Sequence, residues 1–400
     1  MFLSGLNAHS QKITYTYRNF DERDGIRSST MFGMAQDKDG FIWVGTDNGL
    51  HRYDGYKFVQ IKSPIDTKHY NIANQLTEVM YDSVYNRLWL MSLTDFQYLD
   101  LYDYTFHRWF DMKKYPMNTI SQKNQTKISK DEILFSIGGD LFQYSIRDKS
   151  VKDVNEKYGL DRNAKNRYAF LKSTNENYVS IICSKYVILK NLKNGEIQPI
   201  KALEGETFLD VVQENDYIYI ASFDGLITYH LPTGARSKRN FPYVVHGKSF
   251  NHNIVKVHHF DQHTLILSGM SGHILFNKVN STYQYFPQEK GDFENRVNAY
   301  NFLNDREGNL WRSSIHDYCN VLYHQNRKMV LIDSIINEKG VNVEPYRNIR
   351  LNDSIFAFCG SGISGIGLFN QYTGKYQIIN NYLNPNNKNL CYQVLQLFPT

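Results

Sequence analysis

The chain has 400 residues, a formal net charge of +5 and 4 widely spaced cysteines. Such a weak charge gives no electrostatic reason to expect nucleic-acid binding, and no run of about 18 apolar residues is present that would cross a membrane as a helix. The 30 tyrosines and 24 phenylalanines favour strands, which only 9 prolines interrupt. The cysteines lie in or beside predicted strands, without a CxxC pair, so we interpret them as small buried residues.

The N-terminal segment, residues 1–18, contains one predicted strand at 12–17. This strand precedes the repeats described next, so it is available to complete a blade that the chain forms much later. Residues 1–8 are too short for a complete signal peptide.

The first repeat occupies residues 36–54. Asp39-Gly40 predicts a tight hairpin turn, because glycine tolerates the positive φ of such turns. The apolar run 41–45 predicts a strand buried on both faces, and it ends at the small Gly45. A third strand follows at 49–54, and a fourth at 57–61.

Equivalents of Trp43 recur along the whole chain, 40 to 47 residues apart. They are Trp89, Leu134, Val179, Tyr219, Ile266, Trp311 and Phe356. A period of this length with four short strands per unit predicts an all-β protein, a β-propeller of four-stranded antiparallel blades. Irregular spacing, which a β-sandwich would need, is not found.

The count of repeats predicts the domain organisation. Seven units fill residues 19–334 as a seven-bladed β-propeller, and residues 335–400 hold the first blade or blades of a second, truncated propeller. A ninth unit starts near 389 and the sequence stops within it, so we expect a longer polypeptide. A single eight-bladed ring is the alternative.

Residues 24–30 and 35–55 resemble a known family. The segment Gly25-Ile26-Arg27-Ser28-Ser29, followed by the Asp-Gly-Phe-Ile-Trp-Val-Gly-Thr run from Asp39 to Thr46, is similar to the two-component regulator propeller repeat of hybrid two-component sensors from Bacteroidetes. Later copies are degenerate but keep the period.

The resemblance implies a periplasmic sensor region of an inner-membrane protein, followed by a histidine kinase, a receiver and a DNA-binding output domain. It implies a homodimer in the full-length protein, a ligand derived from glycans, and control of genes for polysaccharide use. Neither nucleic acid nor membrane would be contacted by residues 1–400 themselves. The repeat motif is structural and assigns no ligand-binding residue.

Motifs for catalysis or cofactors were not found. The sequence contains no phosphate-binding glycine loop, no GxSxG, no HExxH and no zinc-spaced Cys/His set, so we predict no catalysis in this region, no cofactor and no metal. The acidic pairs Asp37/Asp39 and Asp305/Glu307 lie in predicted turns, where aspartate is a turn former. His258, His259 and His263 are interpreted as surface and turn residues rather than metal ligands.

Ligand binding is expected on the face that carries the loops leading into each first strand. The longer loops are predicted at 64–74, 111–126, 154–167, 237–253 and 287–297, several of them rich in basic and aromatic residues. Aromatic rings stack on sugars and arginine binds carboxylate or sulfate in a bidentate way, which predicts an oligosaccharide site, with acidic sugars among the candidates. The candidate residues are Arg27, Arg167, Tyr168, Arg239, Tyr243, His246, His252, Arg296, His316 and Arg347. Of these, Arg27, Arg167, Arg296 and Arg347 recur near the starts of first strands and are expected around one rim.

Two further classes of function stay open. A propeller glycoside hydrolase or polysaccharide lyase would need carboxylates or a His/Tyr pair facing the channel. A protein-interaction scaffold would need a broad apolar face without a pocket.

Overall fold

The structure is a computed structural model. It describes residues 16–63, 75–92, 95–110, 123–160, 170–175, 177–245, 248–269, 272–287, 299–314, 318–323, 344–351, 355–361, 365–370 and 376–380. Within these residues the only helical segments are two 3-10 turns, at Glu22–Asp24 and Glu156–Tyr158.

Seven four-stranded sheets form the blades of a propeller, as the repeat predicts. Within each blade, numbered 1 to 7, the first strand is innermost. Blades 1 to 3 are β2 to β5 (Met31–Gln36, Ile42–Thr46, Gly49–Tyr53, Phe58–Ile61), β6 to β9 (Leu76–Asp82, Arg87–Ser92, Phe96–Asp100, Phe106–Phe110) and β10 to β13 (Lys123–Ser129, Glu132–Ile137, Asp140–Ser145, Ser150–Asp153). Blades 4 to 6 are β14 to β17 (Phe170–Asn175, Tyr178–Cys183, Tyr186–Asn191, Ile197–Lys201), β18 to β21 (Phe208–Glu214, Tyr217–Ser222, Gly225–His230, Arg236–Arg239) and β24 to β27 (Lys256–His259, Thr264–Gly269, Gly272–Asn277, Tyr283–Pro287).

Blade 7 closes the ring with strands from both ends of the repeat region. It contains β28 to β30 (Ala299–Asn304, Leu310–Ser314, Cys319–Tyr323), and its outermost strand is β1 (Thr16–Phe20), which pairs with β30. The inner strands contact one another in a closed circuit, β2, β6, β10, β14, β18, β24, β28 and again β2. The eight-bladed alternative is therefore wrong, because the seventh inner strand already contacts the first.

Hydrogen bonds between turns reinforce this closure. Arg306 of blade 7 donates through its guanidinium to the carbonyl oxygens of Asp37 (2.6 Å) and Lys38 (2.8 Å) of blade 1. Gln36 accepts from the Arg306 backbone N–H at 2.8 Å and donates to Glu307 at 3.0 Å. The first and last blades are thus joined by side chains as well as by β1.

An aspartate–tryptophan contact recurs in three blades and explains the repeat motif. The indole Nε1 donates to a turn carboxylate in the pairs Trp43–Asp37 (2.6 Å), Trp89–Asp82 (3.1 Å) and Trp311–Asp305 (2.8 Å). All three tryptophans are buried, so water cannot reach their indole N–H groups, and each carboxylate supplies the acceptor. The acidic turns are scaffold elements, as the sequence indicates.

Small residues let neighbouring blades approach closely. A Cβ on Gly33 would come within 2.5 Å of the Val79 backbone nitrogen, and one on Gly45 within 2.9 Å of the Leu76 carbonyl oxygen. Glycine is needed at both positions because the inner strand of blade 2 passes directly against them.

Aromatic side chains fill the closure between blades 7 and 1. Phe20 of β1 is fully buried and stacks on Trp311, with ring centroids 5.4 Å apart. Its edges meet Tyr53 at 5.0 Å and Phe58 at 5.4 Å. The closing strand is therefore held by core packing in addition to the β1–β30 pairing.

Two elements lie outside the blades. A hairpin of β22 (Pro242–Val245) and β23 (Lys248–Asn251) is inserted between blades 5 and 6. A separate four-stranded sheet follows the ring: β31 (Glu344–Arg350), β32 (Ile355–Ser361), β33 (Gly365–Asn370) and β34 (Tyr376–Asn380). The ring, Tyr17–Tyr323, is one compact unit, and Met1–Thr16 with His324–Thr400 forms the other. That the last sheet begins a second propeller stays a prediction.

Candidate ligand-binding site

The upper face of the ring is defined here by the loops that lead into the inner strands and the turns between second and third strands. Antiparallel pairing places both kinds of connection at the same end of every blade. The lower face carries the remaining turns, including those with Asp37 and Asp305.

Arg27 is an exposed side chain on the upper face of blade 1. Its backbone is fixed on both sides: its N–H donates to His51 Nε2 at 3.3 Å, and its carbonyl accepts from Asn48 Nδ2 at 3.1 Å. His51 is fully buried, and burial lowers its pKa to about 4, so the ring stays neutral and able to accept. The segment before β2 is rigidly anchored and presents one cationic side chain to solvent.

A second group of candidates surrounds the β22–β23 hairpin. The Arg239 guanidinium carbon lies 5.4 Å from the ring centroid of Phe276, so it joins blade 5 to blade 6. His252 was expected on a loop surface, but it is 2% exposed. Its ring packs on Tyr285 at 4.4 Å, its backbone N–H donates to the Phe241 carbonyl at 3.0 Å, and burial lowers the pKa of the imidazole to about 4.

The predicted loop 237–253 is therefore partly strand. Arg239 ends β21, and the hairpin β22–β23 occupies most of the remainder. The predicted loop 111–126 likewise ends inside β10, where Gln125 and Thr126 are buried. Both errors arise because polar residues on a strand look like a loop when their cross-strand partners are unknown.

The other candidate residues are not brought together by the described structure. Tyr243 lies on β22, and Arg347 lies on β31, outside the ring. Of the four recurring arginines, Arg27 alone has a described position on the ring. Arg167, Tyr168, His246, Arg296 and His316 lie outside the described residues.

An ion pair on the upper face of blade 2 was not anticipated from the sequence. Asp95, 4% exposed, receives Arg108 Nε at 2.8 and 2.7 Å on its two oxygens. Burial raises the pKa of Asp95 even though Arg108 opposes that shift. Gln97 extends the network, since its Oε1 accepts from Ser63 at 2.7 Å. The two charged residues are 13 positions apart on neighbouring strands, so no local motif marks them.

The central channel contains a carboxyl group that sequence reasoning also missed. Glu78 on β6 is partly exposed and accepts from Asn124 Nδ2 of β10 at 3.4 Å. The surrounding inner strands make its ionisation costly and raise its pKa to about 7, while the positive charge of Lys256 on β24 opposes the shift. Since β6 and β24 belong to non-adjacent blades, this electrostatic interaction acts between separate parts of the ring.

Carboxylates that suggested catalysis are used by the fold. Asp37 accepts from the backbone N–H groups of Asp39 (2.9 Å) and Phe41 (3.0 Å), and Asp305 accepts from Asn309 at 2.7 Å, in addition to their tryptophans. In the part of the chain that the structure describes, no group of three or more potential metal ligands occurs. Among the described residues there is likewise no helix with the length and apolar character needed to cross a bilayer.

The fold is a seven-bladed propeller, and its first repeat matches a known family. Residues 25–48 match the family model described as a two component regulator propeller. The chain therefore carries this repeat, and the resemblance found in the sequence is confirmed. The matched residues include Arg27 and Asn48, and the hydrogen bond from the Asn48 side-chain amide to the Arg27 carbonyl anchors the upper face.

Three relatives illustrate the similarity. A histidine kinase, P4, from Formosa agariphila is 34% identical over 53 residues, 13% of this chain and 4% of that protein. The extracellular domain of BT3049 from B. thetaiotaomicron, described as part of a hybrid two component system, superposes with a TM-score of 0.59 at 14% identity, covering 92% of this chain and 50% of that one. The extracellular domain of BT4673 from the same organism gives 0.60 at 15%, with 89% and 46% coverage. The chain thus spans about half the length of these two structures, and at such identities they show a shared fold.

Proposed function

We propose that this chain is the extracytoplasmic ligand-sensing region of a hybrid two-component sensor. The observation that carries the proposal is the match of residues 25–48 to the two component regulator propeller, set in a closed seven-bladed ring. The likeness to extracellular domains of such systems supports a periplasmic location, and the likeness to a histidine kinase supports a kinase farther along the protein.

The ligand that we propose is an oligosaccharide released from a glycan, bound on the upper face. Its binding would bias a homodimer of sensors between two arrangements and so set the activity of the kinase, which controls genes for polysaccharide use. The anchored Arg27 gives this face an exposed cationic side chain, and the hairpin between blades 5 and 6 is an insertion in the connection that leads into β24. We further propose that β31–β34 is the first blade of a second propeller.

Calorimetric titration tests the ligand class. The 400-residue chain is titrated with a panel of neutral and acidic oligosaccharides of three to six sugars. We expect saturable heat from at least one of them, reduced by Arg27→Ala because that side chain is exposed and its removal leaves the backbone contacts intact. An absence of heat from the whole panel would contradict the oligosaccharide ligand.

A further inference from the structure

The layer between blades 6 and 7 is lined by polar side chains. Cross-strand register places Lys256, Ser268 and His273 on one face of blade 6, because each lies directly opposite the next. On blade 7 the same rule places Phe302, Arg312 and Asn320 on one face.

These two faces are in contact with each other. Arg312 donates a guanidinium N–H to His273 Nε2, and the rings of His273 and Phe302 lie 6.2 Å apart. Because Nε2 accepts, the proton of the neutral imidazole is on Nδ1. Burial, with the nearby charge of Arg312, lowers the pKa of His273 to about 3, so the imidazole is neutral at physiological pH.

Ser268 Oγ, His273 Nδ1 and Asn320 Nδ2 are among the polar atoms of this layer that are buried without a hydrogen-bond partner in the described structure. Ser268 is fully buried and Asn320 is 1% exposed. Buried polar groups are nearly always satisfied, so a cluster of unsatisfied donors in one layer is unusual.

A group that pairs with these donors has to be a hydrogen-bond acceptor. Ser268, His273 Nδ1–H and the Asn320 amide donate, and Lys256 and Arg312 add positive charge. The paired strands place no acidic residue on either face. Lys256 also acts electrostatically on Glu78, on β6 of blade 2.

We propose that the layer between blades 6 and 7 is a binding site for an oxyanion, a carboxylate or sulfate group carried by a small ligand. Ser268, His273 and Asn320 donate hydrogen bonds to its oxygens, and Lys256 and Arg312 supply the compensating charge. The site refines the ligand-sensing function proposed above, and its meaning for signalling rests on that function, whereas anion binding itself can be measured separately.

Titration with simple anions tests the site. Wild-type chain is titrated calorimetrically with sulfate and with acetate at constant ionic strength, alongside Ser268→Ala and the matched control Ser180→Ala. Ser180 is equally buried and its Oγ also lacks a partner, but it lies on β15 of blade 4. We expect saturable binding of at least one anion, weakened about tenfold by Ser268→Ala, the loss of one charge-assisted hydrogen bond, and unchanged by Ser180→Ala.

Two charge variants make the outcome decisive. Asn320→Asp puts a carboxylate where the anion would bind and should abolish the signal. Lys256→Gln, a change at a partly exposed position that the fold tolerates better, should weaken binding about tenfold or more. No binding by the folded wild type, or equal affinity in all variants, would overturn the proposal. Oligosaccharide binding without anion binding would overturn this site alone, and anion binding without oligosaccharide binding would overturn the proposed ligand class alone.

Discussion

Buried polar groups in two regions of this ring differ in how fully they are hydrogen-bonded. On the lower face, the Asp37 carboxylate receives two backbone N–H groups and the Trp43 indole, all within 3.0 Å. In the layer between blades 6 and 7, Ser268 and Asn320 are equally buried, but each retains a donor without a partner.

The difference separates scaffold from candidate site. A buried polar group that forms hydrogen bonds within the fold has a structural role, because removing it would leave its partners unpaired. A buried donor that the fold leaves unsatisfied reduces stability, and the grouping of several such donors in one layer is the basis of the proposed anion site. The acidic turns are the more obvious motif in the sequence, yet the unsatisfied layer is the stronger functional candidate.

The largest expected effect is on the closing strand, which is scaffold alone. Phe20→Ala should lower the free energy of unfolding by about 3–5 kcal/mol, because it empties an aromatic pocket in the core. Urea denaturation followed by tryptophan fluorescence measures this loss. Tyr56→Ala, at a position 82% exposed, is the control and should stay within about 0.5 kcal/mol of wild type. A small effect of Phe20→Ala would mean that β1 does not hold the ring closed.

The acidic turn should affect stability and leave ligand affinity unchanged. Asp37→Ala should cost about 2–3 kcal/mol, since a buried indole and two backbone N–H groups lose their acceptor. Asp39→Ala, two residues away and exposed, should cost less than about 0.5 kcal/mol. Equal unfolding free energies for the two variants would contradict a structural role for Asp37.

The channel carboxyl should give a pH-dependent effect. Glu78 has a pKa of about 7 in the fold against 4.5 ordinarily, so the folded state holds its proton more tightly. The associated stability is present below pH 4.5 and is lost as pH rises to 7. Glu78→Gln should therefore be more stable than wild type by about 1–3 kcal/mol above pH 7, with the difference vanishing near pH 4.5. Urea titrations at pH 4.5, 6 and 8 measure it, and a constant difference across that range would be inconsistent with the raised pKa.

The smallest stability effect is expected at the unsatisfied layer. Ser268→Ala removes a buried hydroxyl without a partner, so without anion its unfolding free energy should stay within about 0.5 kcal/mol of wild type or rise. Thermal denaturation in chloride buffer checks this. A loss well above 1 kcal/mol would mean that the hydroxyl is satisfied in the folded protein and that the contrast with Asp37 does not hold.

Much of the fold follows from the sequence. Trp43 and its seven equivalents all lie on the second strand of a four-stranded sheet, because hydrophobic periodicity and turn residues are local signals. Ring closure by an N-terminal strand was foreseen as a possibility, but the seven-blade count required the contact between β28 and β2. Such contacts join residues far apart in the chain and leave no local pattern.

The candidate site is less predictable for the same reason. His273 and Arg312 are 39 residues apart and meet only because consecutive blades pack face to face. Arg312 follows Trp311 in a strand that is buried throughout, and composition alone gives no sign that a charge there faces a neighbouring histidine. His252 shows the opposite error, since a basic residue in a polar stretch was expected at the surface and is buried.

The central claim is that the unsatisfied donors between blades 6 and 7 recognise an acidic group on the ligand. The most direct measurement compares, by calorimetry, a trisaccharide of uronic acid with its neutral counterpart, on wild type and on Asn320→Asp. We predict that wild type binds the acidic sugar at least about tenfold more tightly and that Asn320→Asp removes this preference. Equal affinity for the two sugars, or a preference that survives in Asn320→Asp, would contradict the account.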